Sequence, residues 1–144
     1  MSGFSTPRLG RVSDARECAE IVSKWIDNTA WMPRNHSIDE LIKIMEEGIP
    51  IREFWVLGNP IEGYLSFNKE LLQVMGLYVA SPREGKGKLL LDKVKEGRHF
   101  IQLLSHMANN NAHRFYCREG FKKIEFIRKG QDGIPEIRHA ISIL

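Results

Sequence analysis

The sequence predicts an α/β fold of about six or seven strands and about four helices. Three observations predict it. A strand, a basic glycine loop and an apolar helix start run together over residues 77–91, three strand-like segments between residues 52 and 79 are divided by turn compositions, and two capping boxes open helices near the N-terminus.

Residues 7–12 read as a short first strand. Asp14-Ala15-Arg16-Glu17 reads as a capping box, and Cys18, Ile21, Val22, Trp25 and Ile26 supply the buried stripe of the helix behind it. Trp31-Met32-Pro33-Arg34 forces an irregular stretch. Ser37-Ile38-Asp39-Glu40 is a second capping box, with Leu41, Ile44 and Met45 as its apolar face and a stop at Gly48. Strands are expected over residues 52–57, 61–67 and 71–79, an antiparallel meander turned by Gly58-Asn59-Pro60 and Asn68-Lys69-Glu70. A helix over residues 88–97, a strand over 99–104 and a helix over 110–119 follow. Gly120 fits a C′ position, and strands over 121–127 and 136–143 flank the turn Gln131-Asp132-Gly133.

The glycine loop is an architecture for holding phosphates. Leu77, Tyr78 and Val79 make a strand, Pro82 ends it, and Gly85 and Gly87 let main-chain N–H groups turn inward. A helix N-terminus follows, where free N–H groups and the macrodipole favour an anion. Arg83, Lys86 and Lys88 add full positive charges, which suits a pyrophosphate better than a carboxylate. No G-x-x-x-x-G-K-[ST] run is present, and Gly85-Lys86-Gly87 lacks the third glycine of a dinucleotide fingerprint.

Composition bounds the remainder. The chain has 144 residues, 42% of them hydrophobic, without repeat or low-complexity tract, which suits one compact domain. A formal charge of +3 is too small to argue for nucleic acid, and Arg83, Lys86, Lys88, Lys93, Lys95 and Arg98 are expected to cluster at the phosphate site. Cys18 and Cys117 suggest neither a disulfide framework nor a zinc site. The first nine residues lack an apolar signal core and no run approaches a membrane span, so a cytoplasmic enzyme without membrane partner is expected.

A second motif sharpens the reading: Asn109-Asn110-Asn111-Ala112-His113-Arg114-Phe115-Tyr116-Cys117-Arg118-Glu119-Gly120-Phe121, preceded by the strand-like residues 99–104. Asn-x-x-Ala-x-x-Phe-Tyr-x-x-x-Gly-Phe resembles the signature of the GCN5-related N-acetyltransferases (GNAT), and with the glycine loop it follows that family's element order. The resemblance runs from Leu9 to Leu144, a single domain after an N-terminal segment of residues 1–8. It implies a mixed central sheet with helices on both faces, acetyl-CoA as co-substrate, no metal, and direct transfer to the primary amine of a small molecule in a ternary complex. The loop departs from the family pattern. Glu84 stands where Arg or Gln is usual, and the chain after Gly87 is about two residues short.

By resemblance, main-chain groups of Leu77 and Val79 would meet the pantetheine arm, the Val79 N–H lying near the thioester carbonyl. Gly85, Lys86, Gly87 and Lys88 would hold the pyrophosphate, with Arg83 taking over the missing cationic contact. Asn109 would bond the pantetheine arm or the substrate side, and Tyr116 matches the proton donor to the leaving thiolate. At ordinary pKa values, full transfer from tyrosine to a cysteine-like thiolate is uphill by about 2 kcal/mol, so a hydrogen-bonding role is expected. The base is open among Glu62, His106, His139, Glu136 and a water relay.

Trp31, Met32 and Arg34 are expected to wall the acceptor cleft with Glu136, which with Arg138 would suit a small amine bearing a carboxylate. Plainer readings stand beside these. Tyr116 and Phe115 could be core aromatics, Asn109 a simple N-cap, Trp31 to Pro33 a plug under the sheet, and His106 a surface or structural histidine. Lys93, Lys95 and Arg98 read as a solvated helix face, and Glu136 and Arg138 as exposed positions of an alternating strand. Exposed strand edges in the family often pair, which makes a homodimer one implied arrangement. The alternative function is a degenerate GNAT domain that binds CoA or acyl-CoA as a sensor or subunit without turnover.

Overall fold

The computed structural model describes residues 6–143; residues 1–5 of the expected N-terminal segment and Leu144 of the expected domain lie outside the described residues. The strands are β1 (Arg8–Leu9), β2 (Glu53–Leu57), β3 (Gly63–Asn68), β4 (Gln73–Val79), β5 (Phe100–His106), β6 (Lys122–Ile127) and β7 (Glu136–Ser142). The helices are α1 (Ala15–Asp27), α2 (Ile38–Gly48), α3 (Lys86–Lys95) and α4 (Asn110–Arg118). One seven-stranded mixed sheet runs in the order β1-β2-β3-β4-β5-β7-β6. The meander β2-β3-β4 is antiparallel as expected, and β4 and β5 form the parallel pair.

Alternation along the strands divides the core into two layers. On one face Phe54, Val56 and Tyr64 pack under α1 and α2 with Cys18, Ile21, Val22, Leu41 and Met45. On the other, Leu57, Leu65, Phe67, Val74, Ile101 and Leu103 pack under α3 and α4 with Leu90, Leu91, Val94, Tyr116 and Phe121. Expected Ile44 is exposed at 45%, and Ile38 and Ile42 join the core face in its place.

The two capping boxes part company. Ser37 accepts from the Glu40 N–H while Glu40 accepts from the Ser37 N–H, as the sequence implies. Asp14 makes no cap of that kind, because its carboxylate accepts from the Arg11 N–H at 2.7 Å and pairs with Arg8. Glu17 is drawn away to the Ile61 N–H at 2.9 Å. The first strand is accordingly shorter than expected, the chain turning into a single 3₁₀ turn over Val12–Asp14.

α4 ends as the sequence implies. Gly120 has φ +97°, the Phe121 N–H donates to the Tyr116 carbonyl at 2.9 Å, and the Gly120 N–H donates to the Cys117 carbonyl at 3.1 Å, a Schellman pair. A Cβ at Gly120 would stand 2.9 Å from Ile141 Cδ1. Gly120→Ala is therefore expected to lower stability by about 1–2 kcal/mol, chiefly through the left-handed backbone. The urea midpoint of the variant against the parent measures it, and an unchanged midpoint contradicts it.

Candidate functional site

The site begins where two parallel strands part. β4 and β5 pair at Gln73–Gln102 and Val74–Leu103 and nowhere beyond, while β5 remains paired with β7 through His106–Glu136 and β4 with β3 through Val79–Gly63. Ser66 pairs with Gly76 and Phe67 with Val74, so Met75 is the extra residue of a bulge at the point of departure. The Ala80 N–H donates to the Glu62 carbonyl at 2.7 Å. Ladder alternation then turns the main-chain groups of Val79 and Leu77 away from β3, into the opening that β5 has left.

At the far end of β4 the chain enters the glycine loop. Gly85 has φ +78° and caps α3 without a side-chain bond, leaving the first N–H groups of α3 directed outward. Gly87 has a packing reason, since a Cβ there would stand 3.3 Å from the Phe115 ring. The loop lysines are held by acids. Lys86 pairs with Glu84 and, at 3.3 Å, with Glu62. Lys88 pairs with Glu119 at 3.0 Å and Asp92 at 3.3 Å. Arg83 is exposed with φ +67°.

The expected basic cluster divides in two. Lys93 lies over the Trp55 ring at 4.9 Å, and Arg98 pairs with Glu53 and covers the Phe67 ring at 4.4 Å, at the opposite end of α3 from Gly85. Lys95 donates to the Glu119 carbonyl at 2.9 Å. Lys95 and Arg98 are half-buried and engaged rather than a solvated face, because Glu53 and Glu119 reach them across elements.

Two polar groups flank the opening, one on each face. On the α3/α4 face Tyr116 is buried in the layer that takes in Leu77 and Val79, its ring 5.8 Å from that of His139 and 5.7 Å from that of Phe121. Burial raises the Tyr116 phenol above its ordinary pKa, and the Tyr78 phenol adds to the rise. His113 Nε2–H donates to the His106 carbonyl at 3.0 Å, and His139 is fully buried with Nε2 unpartnered among the described residues. Asn109 caps α4, its carboxamide oxygen accepting from the Ala112 N–H at 3.1 Å, so the plain capping reading holds for that atom.

On the α1/α2 face the Trp25 ring lies 5.6 Å from Trp31, 5.3 Å from Tyr78 and 6.1 Å from His106, and Trp31 lies 5.4 Å from His106. His106 Nε2 meets Asp132 Oδ2 at 2.9 Å and Glu136 Oε2 at 3.9 Å. His106 is therefore neither a free surface residue nor without a partner, and Glu136 is buried rather than an exposed alternating position. Burial raises the Glu136 carboxyl, with Asp132 adding to the rise and His106 and Arg138 opposing it. Burial pushes the Tyr78 phenol up to about 12, with Asp132 and Glu136 contributing. The donor atoms of His106, Asp132 and Glu136 all lie within 4.8 Å of one another, a set that could hold a divalent ion.

Two expected wall residues are held in the loop after α1. Arg34 donates to the Ser23 carbonyl at 2.9 Å, to Asp27 at 2.7 Å and to the His36 carbonyl at 3.0 Å, which ties the loop after α1 to the helix. Met32 is half-buried in the same turn, its N–H bonded to the Thr29 carbonyl. Tyr78 and Asp132 escaped sequence reasoning as site residues. Alternation with Leu77 and Val79 placed Tyr78 on the opposite face and was the available signal, and Asp132 read only as a turn residue.

No family model matches the sequence, and no curated protein matches it. Solved structures do. An acetyltransferase of the GNAT family from Bacillus cereus superposes with a TM-score of 0.77 at 17% identity, over 99% of each chain. Its fold is that of the GNAT acetyltransferases. YncA of Salmonella typhimurium, determined with acetyl-CoA, matches the same fold at 0.73 and 19% identity over 99% of this chain and 95% of that one. The ribosomal-protein-S18-alanine N-acetyltransferase of Escherichia coli matches at 0.72 and 18% identity over 97% and 94%. The expected GNAT sheet of six or seven strands with four helices on both faces is the one observed.

The buried imidazoles make the GNAT fold of this chain acid-sensitive. Burial lowers the pKa of His113, and burial together with His113 lowers that of His139. Near pH 7.5 neither folded nor unfolded chain protonates them; as pH falls through about 6.5 the unfolded chain takes up protons the folded chain refuses, so stability drops. Glu136, with its raised value, opposes this at lower pH. His139→Asn is expected to flatten the fall in urea midpoint between pH 7.5 and 5.5, and parallel curves for parent and variant contradict the assignment.

Proposed function

We propose that the chain is a cytoplasmic, acetyl-CoA-dependent N-acetyltransferase that moves an acetyl group directly to the primary amine of a small molecule in a ternary complex. The observation that carries the reading is the parting of β4 from β5, which leaves main-chain groups of Leu77 and Val79 unpaired beside Tyr116 on one face and His106 on the other. An extended, amide-bearing arm satisfies such an edge as a strand would. The outward N–H groups at the start of α3, with Lys86, Lys88 and Arg83, suit the pyrophosphate. Asn109 has its amide nitrogen left for the arm.

This chain's residues would then divide the proton work. Asp132 accepts from His106 Nε2–H and fixes that tautomer, so Nδ1, which has no hydrogen-bond partner among the described residues, carries the lone pair that takes the proton from the attacking amine. As the C–N bond forms, the Val79 N–H supports the carbonyl oxygen. As the C–S bond breaks, the Tyr116 hydroxyl donates a hydrogen bond to the sulfur. Its raised pKa makes full transfer costlier than for an ordinary tyrosine, so it stays protonated and the thiolate collects its proton from solvent. The exposed edge of β6, with Ile124 and Phe126, is where a homodimer would pair.

A second reading, a CoA-binding domain without turnover, is favoured by one observation: both loop lysines are already held by carboxylates. Thermal shift with acetyl-CoA tests the cofactor in either case, since ligand at 100 times its Kd adds about 2.7 kcal/mol, a rise of several degrees. No shift at millimolar ligand sinks both. Thiol release with an amine panel separates them. Tyr116→Phe is expected to lower kcat about 10–100-fold with the acetyl-CoA shift retained, whereas loss of the shift would make Tyr116 a packing residue.

A further inference from the structure

The acceptor side of the opening carries carboxylates and aromatic faces but, among the described residues, no free guanidinium. Arg34 is spent on Asp27, Ser23 and His36, and Arg138 on Glu125 at 2.8 Å and Gln102 at 2.9 Å. A carboxylate-bearing acceptor, which the sequence suggested, has no cation to meet. Glu136 presents the opposite chemistry. It is 7% exposed, its carboxylate has no hydrogen-bond partner among the described residues, and His106 Nε2 lies 3.9 Å from it. The Gly130 backbone closes against it, where a Cβ would stand 2.2 Å from the Glu136 carboxyl carbon. A carboxylate so nearly buried keeps little hydration, and a cation brought to it restores the balance.

We infer that Glu136, beside the Trp25, Trp31 and Tyr78 rings that line His106, is an ammonium site, and that the acceptor is a small diamine held there by one nitrogen while the other is acetylated. The second half rests on the acetyltransferase reading. Organic ammonium suits the site better than a metal ion, because the rings attract a cation through their faces yet supply no ligand atoms. Two different nitrogens are needed. Glu136 and Asp132 both lie on the Nε2 side of the imidazole, whereas the base atom is Nδ1. A nitrogen bonded to Nδ1 stands up to roughly 9 Å from the Glu136 carboxylate, counting the 3.9 Å contact, the ring and one hydrogen bond of about 2.9 Å. A chain of four to six methylenes between two terminal amines spans that gap.

The test titrates three ligands calorimetrically into the full chain, with and without CoA and in the presence of EDTA: a terminal diaminopentane, the isosteric hexylamine, and aminohexanoate, which carries a carboxylate in place of the second amine. Thiol release from acetyl-CoA is followed with the same three. The diamine is expected to bind at least about tenfold more tightly than hexylamine, with aminohexanoate weakest, and Glu136→Gln is expected to bring the diamine-to-hexylamine ratio within about threefold. Taking the ratio within one variant cancels any loss of folded protein. Equal binding of diamine and hexylamine, or a preference that survives Glu136→Gln, overturns the inference while thiol release would leave the acetyltransferase reading standing. Glu136-dependent diamine binding without any acetyl-CoA shift or thiol release sinks that reading and keeps the ammonium site. Magnesium or zinc that binds alone through Glu136 and displaces the diamine reassigns the cluster to a metal and overturns the inference.

Discussion

A strand cannot be fully paired to two neighbours that diverge. β5 is bound to β7 along its whole length and β4 to β3 along nearly all of its own, so the parallel contact between them survives only for two residue pairs. The extra residue at Met75 bends β4 away at that point. What remains is a sheet with an internal edge, its main-chain donors and acceptors on Leu77 and Val79 open in mid-domain. Backbone groups in that position require partners. Every residue given a role in the proposed function stands in relation to that gap: Tyr116 on one face, Tyr78 and His106 on the other, the start of α3 at its end.

Charge is distributed around the gap with little excess anywhere. The positive end of α3 is tempered by Glu84, Glu62, Glu119 and Asp92, which hold the loop lysines in place at some cost in free positive potential. The carboxylates of Asp132 and Glu136 gather beside His106. Two phenols, Tyr78 and Tyr116, are kept protonated by burial. His113 on α4 and His139 on β7 form a second polar pair, their rings 5.4 Å apart and their pKa values lowered by burial.

Much of the fold was legible because its signals are local. Ser37 and Glu40 lie three residues apart and cap each other without help from elsewhere, and Gly120 ends α4 through backbone handedness alone. The Asp14–Glu17 box failed where locality failed: Arg8 and the Ile61 N–H, distant in sequence, outcompeted the cap. Arg34 was misread for the same reason, since Asp27 and Ser23 lie on the preceding helix turn and claim its guanidinium. Of the site, the glycine loop and the α4 motif were visible as contiguous strings. His106 and Glu136 were visible only as separate candidates and Asp132 only as a turn residue, because three separate segments supply them and no spacing announces their meeting.

By itself the sequence determined the periodicities, turns and helix ends, hence the order of elements and the two strings that resemble GNAT motifs, because each depends on neighbours within a few residues. Tertiary structure alone decided which charges are spent and which are left. Whether a lysine is free or a carboxylate is buried depends on what chain folds across it from far away. The burial of Glu136 beside His106, the pairing of Lys86 with Glu62 and of Lys88 with Glu119, and the gap between β4 and β5 all arise from contacts between distant segments.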